Sequence, residues 1–105
     1  MRIYQKRRSD RNHVIYQLTC EDTGETYIGI TAARFPKDVM RTAKYRWVQH
    51  CYRATTQNLN WPLCNAIREF ENWSYAVLEV VRGKVECHAR ERELIAKYQP
   101  KLNRQ

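Results

Sequence analysis

No stretch of this 105-residue chain is apolar for long enough to cross a bilayer, and no Lys-rich amphipathic segment stands apart as a surface anchor. The opening residues, Met1-Arg2-Ile3-Tyr4-Gln5-Lys6-Arg7-Arg8, lack the apolar run of a signal peptide, so the expected location is cytoplasmic and no membrane partner is expected. Cysteine is present but unpaired in pattern. Cys20, Cys51, Cys64 and Cys87 form no CxxC, which favours free, partly buried thiols over zinc or disulfides; only Cys87-His88 hints at metal. The length leaves no room for a second core, and 43% apolar residues support one modest domain. Acid is scarce. Eleven Asp and Glu against nineteen Lys and Arg leave a net charge of +8, and a small domain so basic is expected to meet a polyanion, nucleic acid first. An acidic protein partner would use the same charge.

What is there begins with a hairpin. The stretch VIYQLTCEDTGETYIG, Val14 to Gly29, places two apolar runs around a polar turn at Glu21-Asp22-Thr23-Gly24. It predicts strands from His13 to Cys20 and from Glu25 to Ile30, with Tyr16 and Tyr27 brought near one another. Two tyrosines packing across a ladder are the plain reading of such a pair. Ahead of the hairpin, residues 1–12 form a basic arm with Arg2, Lys6, Arg7, Arg8 and Arg11, suited to lie along phosphates or simply to solubilise the chain. Residues 13–105 make the domain.

Pro36 marks the start of a long amphipathic helix in which Phe35, Val39, Met40, Ala43, Trp47, Cys51 and Ala54 recur at three- and four-residue intervals. Arg46, His50 and Arg53, at i, i+4 and i+7, form a polar seam beside that stripe. Trp61-Pro62 opens a shorter helix through Leu63, Ala66, Ile67 and Phe70. The run from Asn72 to Val81 is a third strand, closed by Arg82-Gly83, and a last helix spans Lys84 to Tyr98 before Pro100. In that helix Glu86/Arg90 and Glu93/Lys97 are spaced as exposed ion pairs. Glu91 instead shares a face with Cys87, Leu94, Ile95 and Tyr98, which turns a carboxylate toward the sheet, where an arginine or a metal must satisfy it.

Taken in order, these pieces resemble the GIY-YIG nuclease superfamily, which includes homing endonucleases of phages and introns. The paired triplets are Val14-Ile15-Tyr16 and Tyr27-Ile28-Gly29. Arg46-Trp47-Val48-Gln49-His50 is similar to the family's arginine-histidine motif on the first helix. Asn65-Ala66-Ile67-Arg68 and Ala76-Val77-Leu78-Glu79 resemble its second helix and third strand, and Glu91 to Tyr98 with Pro100 and Asn103 its closing motif. The resemblance covers residues 13–103. Three departures stand out: Val14 replaces the first glycine, Ile30 stands where many members carry a lysine or small polar residue, and the Gly29–Arg46 segment is longer than usual. Arg41 therefore competes with Arg46, and the Arg-Trp-x-x-His spacing selects Arg46.

The resemblance implies an α+β fold with a small, mainly antiparallel three-stranded sheet flanked by about three helices. It implies a divalent-metal-dependent DNA endonuclease, phage-encoded or carried by a mobile element, in which case the location is the host cytosol. Tyr16 would be the general base or would orient the water, His50 would share the proton, and Arg46 would clamp the scissile phosphate. Glu91 would hold a single Mg2+ or Mn2+ ion, Tyr27 would bind phosphate or shape the site, and Asn103 would hold the glutamate or nearby backbone. Arg7, Arg8, Arg11, Arg41, Lys44 and Arg53 would supply sequence-independent contacts to double-stranded DNA. One site cuts one strand, so a double-strand break needs a homodimer on DNA or two events. The competing readings are a non-catalytic nucleic-acid-binding module with the same fold and a basic adaptor for an acidic protein.

Overall fold

The computed structural model describes residues 11–57 and 59–103. Arg7 and Arg8, with the arm assigned to them, lie outside the described residues. Strands β1 (Asn12–Cys20) and β2 (Thr26–Ala32) are followed by helices α1 (Val39–Thr56) and α2 (Pro62–Glu69), then β3 (Trp73–Arg82) and α3 (Lys84–Tyr98). A single 3-10 turn, Lys101–Asn103, follows. The sheet is antiparallel throughout, in the order β2-β1-β3, so the expected α+β architecture is observed.

The first strand is central because it is apolar on both faces, as a strand covered on both sides must be. Val14, Ile15, Tyr16 and Leu18 are all essentially inaccessible. Alternation then sorts them. Val14, Tyr16 and Leu18 join Ala43, Leu63, Ala66 and Leu102 in a core under α1 and α2, whereas Ile15 packs with Ile28, Cys87 and Leu94 under α3. At the hairpin turn, Gly24 takes a positive φ of 80°, and the Asp22 carboxylate accepts from the Asn72 backbone N–H (3.3 Å) and side-chain amide (3.0 Å). The turn is thereby fastened to the start of β3.

Helix α1 begins later than its proline suggests. Pro36 sits in the preceding turn, and Asp38 caps the helix by accepting from the Arg41 N–H at 3.1 Å, the role its short acidic side chain suits. Val39, Ala43, Trp47 and Ala54 of the expected stripe face the core, joined by the polar Thr42 and His50, whereas Met40 is exposed. Thr42 belongs inside because its hydroxyl bonds to the Phe35 backbone, accepting from N–H at 2.9 Å.

Helix α3 also corrects its pairing. Arg90 does not meet Glu86 among the described residues; its Nε donates to both carboxylate oxygens of Glu79 on β3 (2.9 and 2.8 Å), and Nη1 donates to Glu93 at 2.9 Å. Glu93 is thus paired toward Arg90, and Lys97 lies over the Tyr98 ring at 5.2 Å. Tyr98 is exposed, since the helix ends there with Gln99 in the left-handed region at φ 48°. All four cysteines are free, as the spacing suggested. No helix among the described residues is long and apolar enough to cross a membrane.

Candidate active site

The cross-strand register sets the site. Tyr16 pairs with Gly29, and Tyr27 sits diagonally opposite, across from Leu18, so both phenols project from the α1 side of the sheet with ring centroids 6.3 Å apart. Beside Tyr16 the ladder to β3 carries a bulge: Ile15 pairs with Glu79 but Tyr16 with Val77, leaving Leu78 as the extra residue. Gly29 explains its own identity. A Cβ at that position would stand 2.6 Å from Tyr16 Oη and 2.9 Å from Tyr27 Cε2, so no other residue leaves room for the two rings.

Three elements converge on the Tyr16 hydroxyl. From α1, Arg46 Nε–H donates to Oη at 3.3 Å and His50 Nε2 lies 2.9 Å from it. With Arg46 donating to the phenol, the complementary assignment has Tyr16 O–H donating to a neutral His50. Arg46 is itself held from below, its Nη1 donating to Gln49 Oε1 at 3.0 Å. His50 closes the group by meeting the Tyr27 ring edge-on, 5.4 Å between centroids.

Burial dominates the electrostatics. It pushes the Tyr16 hydroxyl well above the ordinary phenol value; the Tyr27 charge adds to the rise, and Arg46 opposes it by charge and hydrogen bond. Tyr27 moves up for the same first reason, again with Arg46 opposing. His50 is pushed down to about 3, mainly by burial and then by the cations of Arg46 and Arg53. Near neutrality both phenols keep their protons and His50 is a neutral acceptor. Ile30 packs in the α3-side cluster, away from the phenols, so the cation serving Tyr16 is Arg46.

Glu91 comes from the other layer. Its side chain is 18% exposed, and among the described residues its ion-pair partner is His88, at 3.5 Å; no arginine satisfies it. Its charge nevertheless reaches both phenols, raising their pKa values, which places the carboxylate in electrostatic range of Tyr16 and Tyr27. Among the described residues no group of three or more His, Cys, Asp and Glu could hold a metal, and Cys87-His88 makes no such cluster. A shielded carboxylate with no arginine partner among the described residues is a donor that fits magnesium, which binds through one or two carboxylates and keeps water and phosphate for its other positions. Zinc is not served by it.

Asn103 reaches the site through the backbone. Its Oδ1 accepts from the Ile28 N–H and its Nδ2 donates to the Ile28 carbonyl, both at 2.8 Å, so the amide acts as an extra strand residue on the open edge of β2. Ile28 lies between Tyr27 and Gly29. Asn103 therefore touches the backbone that carries the site and not the glutamate.

Arg46 and His50, the two partners of the buried Tyr16 hydroxyl, face a cavity of about 220 Å³ lined also by Tyr27, Arg53, Trp61, Pro62, Leu63, Leu102 and Asn103. Arg53, expected among the contacts to the DNA backbone, is a wall of this cavity, and its guanidinium lies 5.4 Å from the Trp61 ring centroid. Of the other expected DNA contacts, Arg11, Arg41 and Lys44 line two larger grooves. Arg11 lines a groove of about 650 Å³ with Arg34, Arg82, Tyr45 and Gln49. Arg41 and Lys44 line another of about 710 Å³ with Arg34, Phe35 and Tyr45. Arg41 stacks over Phe35 at 4.3 Å, so of the two arginines that competed for the tyrosine it is Arg46 that bonds to it. Sequence reasoning missed Gln49 and Trp61. The first stood inside the quoted Arg-x-x-x-His motif; the second was read only as a helix start.

Comparison with curated proteins and with solved structures gives no match. The model of the GIY-YIG catalytic domain matches residues 12–103. That span runs from the first residue of β1 to the asparagine that clamps β2, so the chain belongs to the GIY-YIG superfamily of nucleases.

Proposed function

We propose that the protein is a divalent-metal-dependent DNA endonuclease in which Tyr16, Arg46, His50 and Glu91 act on the scissile phosphodiester. The observation that carries this reading is the buried chain Arg46 to Tyr16 to His50, with hydrogen bonds of 3.3 and 2.9 Å at the edge of a basic cavity. A phenol held protonated cannot serve as a base alone. It can serve as a relay: as water attacks phosphorus, Tyr16 Oη takes the water proton while its own proton passes to His50 Nε2. A new P–O bond forms and the bond to the leaving oxygen breaks.

His50 is a poor acceptor in the free protein, chiefly because it is buried, with the cations of Arg46 and Arg53 adding to the depression. A phosphate seated between the two arginines would remove the cationic part alone, which makes the imidazole more basic when the proton must move. Arg46 clamps the phosphoryl oxygens through its planar fork, with Gln49 fixing its direction. A divalent ion held at Glu91 would supply Lewis-acid stabilisation of phosphoryl and leaving oxygens. Tyr27 shapes the wall, and Asn103 positions Tyr27 through Ile28. Each chain offers one such site, so a double-strand break requires two protomers or two events.

The test is incubation of supercoiled plasmid with the protein and magnesium or manganese, comparing wild type with Glu91→Ala and Tyr16→Phe. Both variants are expected to lose about a hundredfold or more in rate, and chelation of the metal to stop cleavage. Equal cleavage by all three proteins would sink the assignment.

A further inference from the structure

The cavity beside the tyrosine relay has two unlike halves. Arg46, His50, Arg53 and Asn103 make one polar and cationic; Trp61, Pro62, Leu63 and Leu102 make the other apolar. A phosphodiester with its nucleoside has the same division, an anion joined to a flat, stackable base. Trp61 is the residue that needs an explanation. It occupies the N-cap of α2 and makes no side-chain cap bond there, where Ser, Thr, Asp or Asn would supply one. Its indole is 50% exposed, so core packing does not account for it either. What it does is wall the cavity, with the Arg53 guanidinium beside its ring.

Resting on the nuclease reading above, we propose that the Trp61 half of this cavity is a subsite for one unstacked nucleobase next to the scissile phosphate, so that the preferred substrate is DNA single-stranded or distorted at the cut. A base inside an intact duplex is stacked and paired and cannot reach a side wall, whereas a flap, a bubble or a flipped nucleotide can. Phosphate on Arg46 and Arg53 and base on Trp61 would fix the nucleotide at both ends, which orients the phosphorus toward Tyr16. Stacking is tolerant of base identity, so the subsite selects DNA structure and not sequence.

The experiment uses a hairpin oligonucleotide with a single-stranded flap, its cut mapped, and an abasic residue placed in turn on either side of it. In wild type one abasic position is expected to lower kcat/KM by about tenfold or more, the scale of one base-aromatic stack. In Trp61→Ala the same abasic change has little further effect, while Trp61→Phe, which keeps a ring, retains most of the base dependence. The ratio of flap to fully paired cleavage falls with the Trp61→Ala change. Abasic losses of equal size in wild type and Trp61→Ala, or no loss in wild type, overturn the subsite. Affinity of the metal-free Glu91→Gln protein for the same oligonucleotides, read by fluorescence anisotropy, separates the two readings. Base-dependent binding without cleavage by the wild type removes the nuclease reading and keeps the subsite; cleavage without base dependence removes the subsite alone.

Discussion

Gly29 and His50 carry the sharpest consequences of single side chains. A methyl at position 29 meets Tyr16 Oη and the Tyr27 ring inside contact distance, so Gly29→Ala must push one phenol out of place. Overpacking of this kind costs about 1–3 kcal/mol, a fall of roughly 4–8 °C in Tm for each kcal/mol in a domain of this size. The relay geometry should suffer more than the fold, and nicking measured well below the new Tm should drop by tenfold or more. Full activity in a destabilised Gly29→Ala protein would separate Tyr16 from the chemistry. His50 makes a prediction about pH. Its pKa is depressed from 6.5 in the unfolded chain to about 3 in the folded one, so the unfolded state binds the extra proton between those values. The stability tied to the neutral imidazole is therefore complete above pH 6.5 and is lost as pH falls toward 3. Between pH 7 and 5 that amounts to about 2 kcal/mol, and His50→Gln should flatten this part of the profile when urea midpoints are compared across pH.

At the level of elements, the edge strand is what most needs support. β2 is paired on one side only, and Asn103 supplies the missing partner at Ile28. Asn103→Ala leaves two backbone groups without that partner, a cost of about 1–3 kcal/mol. Asn103→Asp keeps the acceptor for the N–H but sets a carboxylate oxygen against the Ile28 carbonyl, so it should not restore the wild-type value. Amide hydrogen exchange at Ile28 reads the effect directly: exchange should quicken in both variants. Unchanged protection would mean that the edge is held by something else. The elements themselves were legible in the sequence, because the strand-favouring apolar run from Val14 to Leu18 and the recurrence of Leu63, Ala66 and Ile67 are local patterns. Their ends were less so. Pro36 suits a first helical turn, but Asp38 offers a side-chain acceptor and took the cap; Arg90 was assigned to Glu86 by spacing, yet Glu79 on the neighbouring strand presents two oxygens.

For the whole molecule, charge is the property that acts at a distance. The chain carries a net charge of +8, and part of its basic side chains line the candidate-site cavity and two open grooves, with Arg34 lining both grooves. Where these arginines and Lys44 meet duplex phosphates, each replacement should reduce the slope of log affinity against log salt by about 0.9. Arg34→Ala and Lys44→Ala, titrated with duplex DNA over a range of salt, test this; slopes identical to wild type would mean that the grooves serve another purpose.

The sequence by itself determined the three strands and three helices, the pairing of two tyrosine triplets in one hairpin, and the inward face of Glu91. Each of these follows from propensities and periods that act over a few residues. Only the tertiary structure decided that β1 lies in the middle, that Arg46 Nε bonds to the Tyr16 hydroxyl, that His50 accepts its hydrogen bond, that Asn103 holds Ile28, and that Trp61 lines the same cavity. The physical reason is separation: Tyr16 lies 30 residues from Arg46 and 34 from His50, and Ile28 lies 75 from Asn103. Contacts across such distances depend on how the faces of whole elements fit together, and local pattern does not contain that fit.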